Sequence, residues 1–210
     1  MIRTVPVDRN TLVRRGLWLN YATIGFCCLE AVISLTAGFA AGSVALVGFG
    51  ADSLIEVISG GAAQWRLRSD FDPTRRDRAE RLTAGSIGWS FLALGAYVLT
   101  DSGQSLWFRD RPGRSMAGIL ILIASVIVMP VLARAKRRVA HGMASGALKA
   151  EAAQSSLCAY LSAIALTGVV LNAILGWWWA DPIAALAMVP IIAKEGIEGI
   201  RGEAQCDDCC

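Results

Sequence analysis

Six stretches of mostly apolar residues, each long enough to cross a lipid bilayer, divide nearly the whole chain. They cover residues 17–39, 42–65, 82–100, 115–133, 150–176 and 181–200. A helix needs roughly 20 apolar residues to cross the hydrocarbon core, where only internally hydrogen-bonded backbone is tolerated. The mean hydropathy of +0.51 agrees with this interpretation. The sequence therefore predicts an all-α integral membrane protein with six transmembrane helices, in a plasma or inner membrane.

The basic residues are concentrated in the links on one side of the predicted bundle. Of 20 lysines and arginines, only Arg109, Arg111 and Arg114 fall on the other side. Lys and Arg in short loops stay in the cytoplasm, so we expect both termini to be cytoplasmic. The predicted parts are a cytoplasmic N-terminal segment 1–16, a transmembrane transport domain 17–200 and a cytoplasmic tail 201–210. The net charge of +3 thus reflects topology, and no segment has the basic and aromatic pattern of a nucleic-acid-binding protein.

Two acidic residues interrupt the second apolar stretch. In the segment GFGADSLIEVI, Asp52 and Glu56 are four residues apart, which places them on the same face of a helix. An acidic side chain at the bilayer centre costs roughly 2.5–3.5 kcal/mol even on the most lenient scale. Such a residue needs a partner, a cavity or a bound cation.

Further acids lie in other spans, and no lysine or arginine lies in the span centres beside them. Glu30 is in the middle of span 1, and Glu151 is near the start of span 5. Carboxylates without basic neighbours are better explained by protons or metal ions than by salt bridges. For Glu30 we expect a proton-carrying or cavity-lining role rather than exposure to lipid.

The fifth apolar stretch carries the complementary donors. Glu151, Gln154 and Cys158 recur at spacings of three and four, and Cys158 should lie level with Glu56 if the two helices are neighbours. Carboxylates, an amide oxygen and a thiolate together suit a divalent ion of borderline softness. The sequence predicts a metal site formed by Asp52, Glu56, Gln154 and Cys158, with Glu151 as a further candidate ligand.

The segment AGSVALVGFGADSLIEVISG resembles the second membrane helix of the cation diffusion facilitator family. Its start matches in Gly42, Ser43, Ala45 and Leu46, and its ligand stretch matches in Asp52, Ser53 and Glu56. In span 5 the family's ligand pair falls on Gln154 and Cys158, where a histidine and an aspartate are usual. Ala150 and Glu151 match the alanine and the acidic residue that precede the pair in the family, and Asp181 and Pro182 resemble the Asp-Pro start of its sixth helix.

The resemblance implies export of a divalent metal ion from the cytoplasm in exchange for protons. The cysteine favours zinc, with cadmium, cobalt or manganese as alternatives. No cofactor is expected besides the transported ion. Typical members dimerise through a soluble C-terminal domain that this sequence lacks, so a homodimer would form through the transmembrane helices. The tail residues Cys206, Asp207, Asp208, Cys209 and Cys210 could capture a soft ion.

Several residues receive less specialised interpretations. Gly85, Ser86, Gly88 and Gly95 favour close helix packing, within the chain or between two protomers. Glu195 and Glu198 are expected to reach water or to pair with Lys194 and Arg201. Residues 134–149, including His141, are expected to form a polar link.

Two other functions stay open. The acids could form protonated hydrogen bonds in a membrane sensor or scaffold that transports nothing. They could also serve a proton-coupled exporter of organic cations that uses Glu30. An enzyme is not predicted, because no nucleophile, histidine and acid are found together.

Overall fold

The computed structural model describes residues 9–68, 73–143 and 146–201, and these residues form six α-helices. The helices are α1 (Arg9–Ala41), α2 (Val44–Arg68), α3 (Pro73–Phe108), α4 (Met116–Met143), α5 (Gly146–Leu175) and α6 (Ala180–Arg201). They follow the six predicted spans in order, so the predicted all-α fold class is confirmed. The tail with Cys206, Cys209 and Cys210 lies outside the described residues.

Among the described residues, four helices are long and apolar enough to cross a membrane. The qualifying segments are Arg14–Ala41, Val44–Ala62, Met116–Gly142 and Glu151–Leu175. Helix α3 contains more polar residues than these, and α6 carries several charged residues in its last two turns. The two helices pack along each other.

The described residues of the link expected between spans 4 and 5 are helical instead; residues 144 and 145 lie outside the described part of the chain. Helix α4 continues to Met143 and α5 begins at Gly146, so the prediction of a polar loop over residues 134–149 is wrong. The apolar run ends near residue 133, but lysine, arginine and alanine are good helix formers and continue the helix beyond it. His141 lies exposed in the last turn of α4. The extension also carries Lys136 on a helix rather than in a loop.

Among the four helices that qualify as membrane spans, α2 is the most enclosed. It packs against α1, α3, α5 and α6, and 72% of its most apolar 18-residue segment is buried, against 28% for α1 and 39% for α5. A polar residue on α2 is therefore surrounded by other helices on most sides. This is the helix that carries Asp52 and Glu56.

At one end of the bundle, polar contacts join the starts of α2 and α6. We call this end the hairpin end. The hydroxyl of Ser43 donates to Asp181 Oδ1 over 2.6 Å, and the backbone N–H of Val44 donates to Asp181 Oδ2 over 2.9 Å. Ser43 Oγ also accepts from the N–H of Leu46 and so caps α2. The Asp181 carboxylate thus joins the starts of α2 and α6. The opposite end, where Arg134, Arg137, Arg138 and Arg201 lie, is called the basic end.

Helices α3 and α6 approach closely at two glycines. A Cβ atom on Gly88 would lie 2.7 Å from the carbonyl oxygen of Gly196, and one on Gly196 would lie 3.0 Å from that of Gly88. Gly95 also faces α6, because its nearest neighbour is Ile192. The predicted close packing at Gly88 and Gly95 is therefore used within the chain.

Candidate metal site

Asp52 lines a cavity enclosed by α2, α3, α5 and α6. Its side chain is 5% exposed and makes no hydrogen bond or ion pair with any described residue. The polar residues around the cavity are Asp52, Gln154, Cys158 and Glu195, and the apolar ones are Phe91, Leu157, Leu161, Ile191 and Ile192. Three of the five predicted ligands or candidates thus meet at one cavity.

Gln154 and Cys158 each have a neighbour besides the cavity. The amide oxygen of Gln154, the atom that could bind a metal ion, accepts a hydrogen bond from Ser59 Oγ over 2.8 Å. The buried thiol of Cys158 lies 3.9 Å from Glu30 Oε2, a long contact in which sulfur is a weak donor. Both side chains are held at the edge of the cavity by contacts that metal binding would have to replace.

Glu56 turns away from the cavity although it shares a helix face with Asp52. Its Oε1 accepts a hydrogen bond from Ser155 Oγ over 3.1 Å, while its Oε2 has no partner among the described residues. The carboxylate is buried. The spacing of four therefore brought the two acids onto one face, but their side chains diverge.

Glu151 forms a buried ion pair with a residue that the sequence analysis placed in a loop. Lys136 is fully buried, and its Nζ lies 3.4 Å from Glu151 Oε2 and 3.2 Å from Ser155 Oγ. We call Lys136, Glu151, Ser155 and Glu56 the lysine network. The expectation that the acids have no basic neighbour is wrong here, because the extension of α4 presents Lys136 to α5. A buried ammonium group requires such a partner.

Glu30 lies inside the bundle, so the alternative of lipid exposure is excluded. Its exposure is 0%, and its carboxyl group is close to Cys27, Ser53 and Ser125. Its Oε1 has no hydrogen-bond partner among the described residues. It is not one of the cavity-lining residues. A proton-carrying role for Glu30 stays a prediction.

Sequence reasoning missed two residues of this region, Glu195 and Lys136. Glu198 pairs with Lys194 over 3.5 Å as expected, but Glu195 faces the cavity. The helical period of α6 could have revealed this, because Glu195 follows the buried residue Met188 by seven positions and Ile192 by three. Lys136 would have been found by extending α4 through the helix-forming residues after its apolar run.

The side chains are not already arranged as a metal cage. Within the described parts of the chain, no three histidine, cysteine, aspartate or glutamate side chains are grouped closely enough to hold a metal ion. A cation bound at Asp52 would therefore keep part of its water shell or would draw neighbouring side chains inward. Oxygen-lined sites that retain water are usual for hard divalent ions.

Comparison with known proteins agrees with a helical transmembrane domain. A family model described as the cation efflux transmembrane domain matches residues 21–204. The chain is also 25% identical over 194 residues to the manganese efflux system protein MneS of Bacillus subtilis (strain 168). That alignment covers 90% of this chain and 67% of the relative.

Proposed function

Because the chain belongs to the cation efflux family, we propose that it exports a divalent transition-metal cation from the cytoplasm, with zinc as the favoured ion. The observation that carries this proposal is Asp52, an unpartnered carboxylate beside a cavity in the middle of a membrane bundle. A buried charge without a partner is costly, so a cation that enters the cavity gains from a carboxylate that is already desolvated. As a member of a transporter family, the chain is not expected to catalyse a reaction.

One donor, the thiol of Cys158, favours zinc over harder ions. Cys158 lines the same cavity as Asp52 and Gln154, and thiolates select zinc or cadmium over magnesium or calcium. Glu56 could join these donors only by turning away from Ser155, and Glu151 only by leaving Lys136. Asp52, Gln154 and Cys158 are therefore the core of the proposed site.

Manganese is a second candidate cargo. MneS, to which the chain is similar, is a manganese efflux system protein. The remaining polar atoms around the cavity are carboxylate and amide oxygens, which suit manganese. The two candidates differ in whether the thiol of Cys158 binds the ion.

The direction of transport and its coupling to protons are also proposed. The basic end would face the cytoplasm, because lysine and arginine accumulate on that side. Carboxylic acids and thiols bind metal ions only after losing their protons. Binding of a cation at Asp52 and Cys158 would release protons, and their return would release the cation on the other side.

The proposal is tested by thermal unfolding of the detergent-purified protein with zinc, cadmium, manganese or an organic cation. A ligand raises the midpoint temperature according to its concentration relative to its dissociation constant. We expect zinc and cadmium to stabilise at lower concentrations than manganese, and Asp52→Asn to remove the effect.

Each other result supports a different function. Stabilisation by manganese at the lowest concentration would favour manganese export. An effect of the organic cation alone would favour the organic-cation exporter, and no effect of any cation would favour the sensor or scaffold. Metal stabilisation that persists in Asp52→Asn would overturn the proposed site.

A further inference from the structure

A carboxylate of α6 shares the cavity with Asp52. Glu195 lines it together with Gln154 and Cys158 of α5. The sequence pattern of span 2 pointed to Glu56 as the second acid of the site, but the Glu56 side chain turns to Ser155 and does not line the cavity. The cavity therefore has two carboxylates, and they come from α2 and α6.

The depth of Glu195 in the bundle matches that of the acid it would replace. The contact between Ser43 and Asp181 gives α2 and α6 a common reference at the hairpin end. With a rise of 1.5 Å per residue, Asp52 lies about 13 Å from this reference, Glu56 about 20 Å and Glu195 about 21 Å. Glu195 is thus level with Glu56 and nearer than Asp52 to the basic end.

The position of Glu195 is set by backbone packing. Its neighbour Gly196 contacts α3 so closely that a Cβ atom there would lie 2.9 Å from the side chain of Leu92 and 3.0 Å from the Gly88 oxygen. Pro190, five residues before Glu195, also lies within α6. The backbone beside Glu195 is therefore fixed against α3, while its side chain faces the cavity.

Glu195 is not neutralised by an ion pair with any described residue. Lys194, which precedes it, is 73% exposed and pairs with Glu198 over 3.5 Å. None of the cavity-lining residues is basic. Two carboxylates around one cavity repel each other unless a cation or a proton lies between them, and Asp52 is buried and unpartnered there.

We propose that Glu195 binds the transported cation together with Asp52 and supplies the second carboxylate of the site. This inference rests on the proposed function. Asp52 and Glu195 would hold the ion, and Cys158 and Gln154 would supply further donor atoms. An ion arriving from the basic end meets Glu195 before it meets Asp52.

The test compares Glu195→Gln with Glu198→Gln in detergent-purified full-length protein. The two changes remove the same charge from neighbouring turns of α6, but Glu198 belongs to a surface ion pair. We expect Glu195→Gln to raise the concentration of zinc or manganese needed for half-maximal thermal stabilisation by about tenfold or more. Glu198→Gln should leave it within about twofold, since exposed pairs contribute little.

A gain-of-affinity variant covers the case in which Glu195→Gln does not fold. Glu195→Cys would place a second thiol beside the cavity that Cys158 already lines, and two thiols prefer a soft ion. We expect the ratio of cadmium to manganese affinity to increase by about tenfold or more. An unchanged ratio in folded Glu195→Cys would overturn the inference, and so would unchanged metal binding in Glu195→Gln.

The outcomes separate this inference from the proposed function. If Asp52→Asn abolishes metal stabilisation while both Glu195 variants bind as the unaltered protein does, only the role of Glu195 is wrong. If Asp52→Asn itself binds metal normally, the proposed site around Asp52, which is the observation behind the proposed function, is wrong.

Discussion

Two groups of acids in this bundle have opposite surroundings. In the lysine network, Lys136 lies 3.4 Å from Glu151, and Ser155 connects it to Glu56. At the cavity, Asp52 and Glu195 have no such partner among the described residues. The described residues provide a cation for the first group, Lys136, and none for the second. The difference indicates which acids hold the helices together and which are available to an ion from outside.

The largest expected effect is on metal transport. It distinguishes the acids at the cavity from those of the lysine network. Asp52→Asn should reduce metal uptake into proteoliposomes at least about 100-fold, because the amide keeps the shape but loses the charge that binds the ion. The double variant Lys136→Met with Glu151→Gln removes a charge pair from the lysine network without leaving a lone charge. The double variant should transport metal at a rate per folded molecule within about threefold of that of the unaltered protein. Loss of transport in the double variant would contradict the structural role of Glu151.

The second effect concerns stability. Lys136→Met alone leaves the Glu151 carboxylate buried without its cation, which should lower the free energy of unfolding by about 3–5 kcal/mol. Adding Glu151→Gln should recover most of this loss, because neither charge then remains. Denaturant unfolding in detergent measures both values. A double variant no more stable than the single one would show that the two side chains do not act as a pair.

The smallest effect comes from the backbone contact that holds Glu195. Gly88→Ala would place a methyl group 2.7 Å from backbone atoms of Gly196 and Ile200. It should cost about 1–3 kcal/mol by overpacking and weaken metal binding by shifting α6.

Gly103→Ala is the matched control for that change. Gly103 is also in α3, but a Cβ atom there meets nothing within 4 Å. This change should stabilise the helix by up to about 1 kcal/mol and leave metal binding unaltered. Equal metal affinity in both variants would show that the spacing of α3 and α6 does not control the cavity.

The number and order of the helices could be predicted from the sequence, because each helix contains a mostly apolar stretch of roughly membrane-spanning length, although only four of the described helices are apolar enough to qualify as spans. Helix ends at the basic end could not, since hydropathy falls where charges begin whereas α4 continues to Met143. Lys136 was assigned to a loop for this reason. Whether a given acid faces a cavity depends on which helices become neighbours.

The site was therefore predictable in part. Asp52, Gln154 and Cys158 were found from their spacing, and they do meet at one cavity. Glu56 shares the helix face of Asp52, but its rotamer follows the hydroxyl of Ser155. Glu195 was missed because its neighbours in sequence, Lys194 and Arg201, suggested a surface ion pair. The ligand pattern of span 2 contains no information about α6.

The bond between Asp181 and the start of α2 has a mechanical consequence. It joins one end of α6 to the start of α2, so any separation of the two helices that keeps this bond is a rotation about the hairpin end. Glu195 lies about 21 Å along α6 from that point, so a rotation of about 10° would move it by about 4 Å. The same rotation would leave the residues beside Asp181 nearly in place.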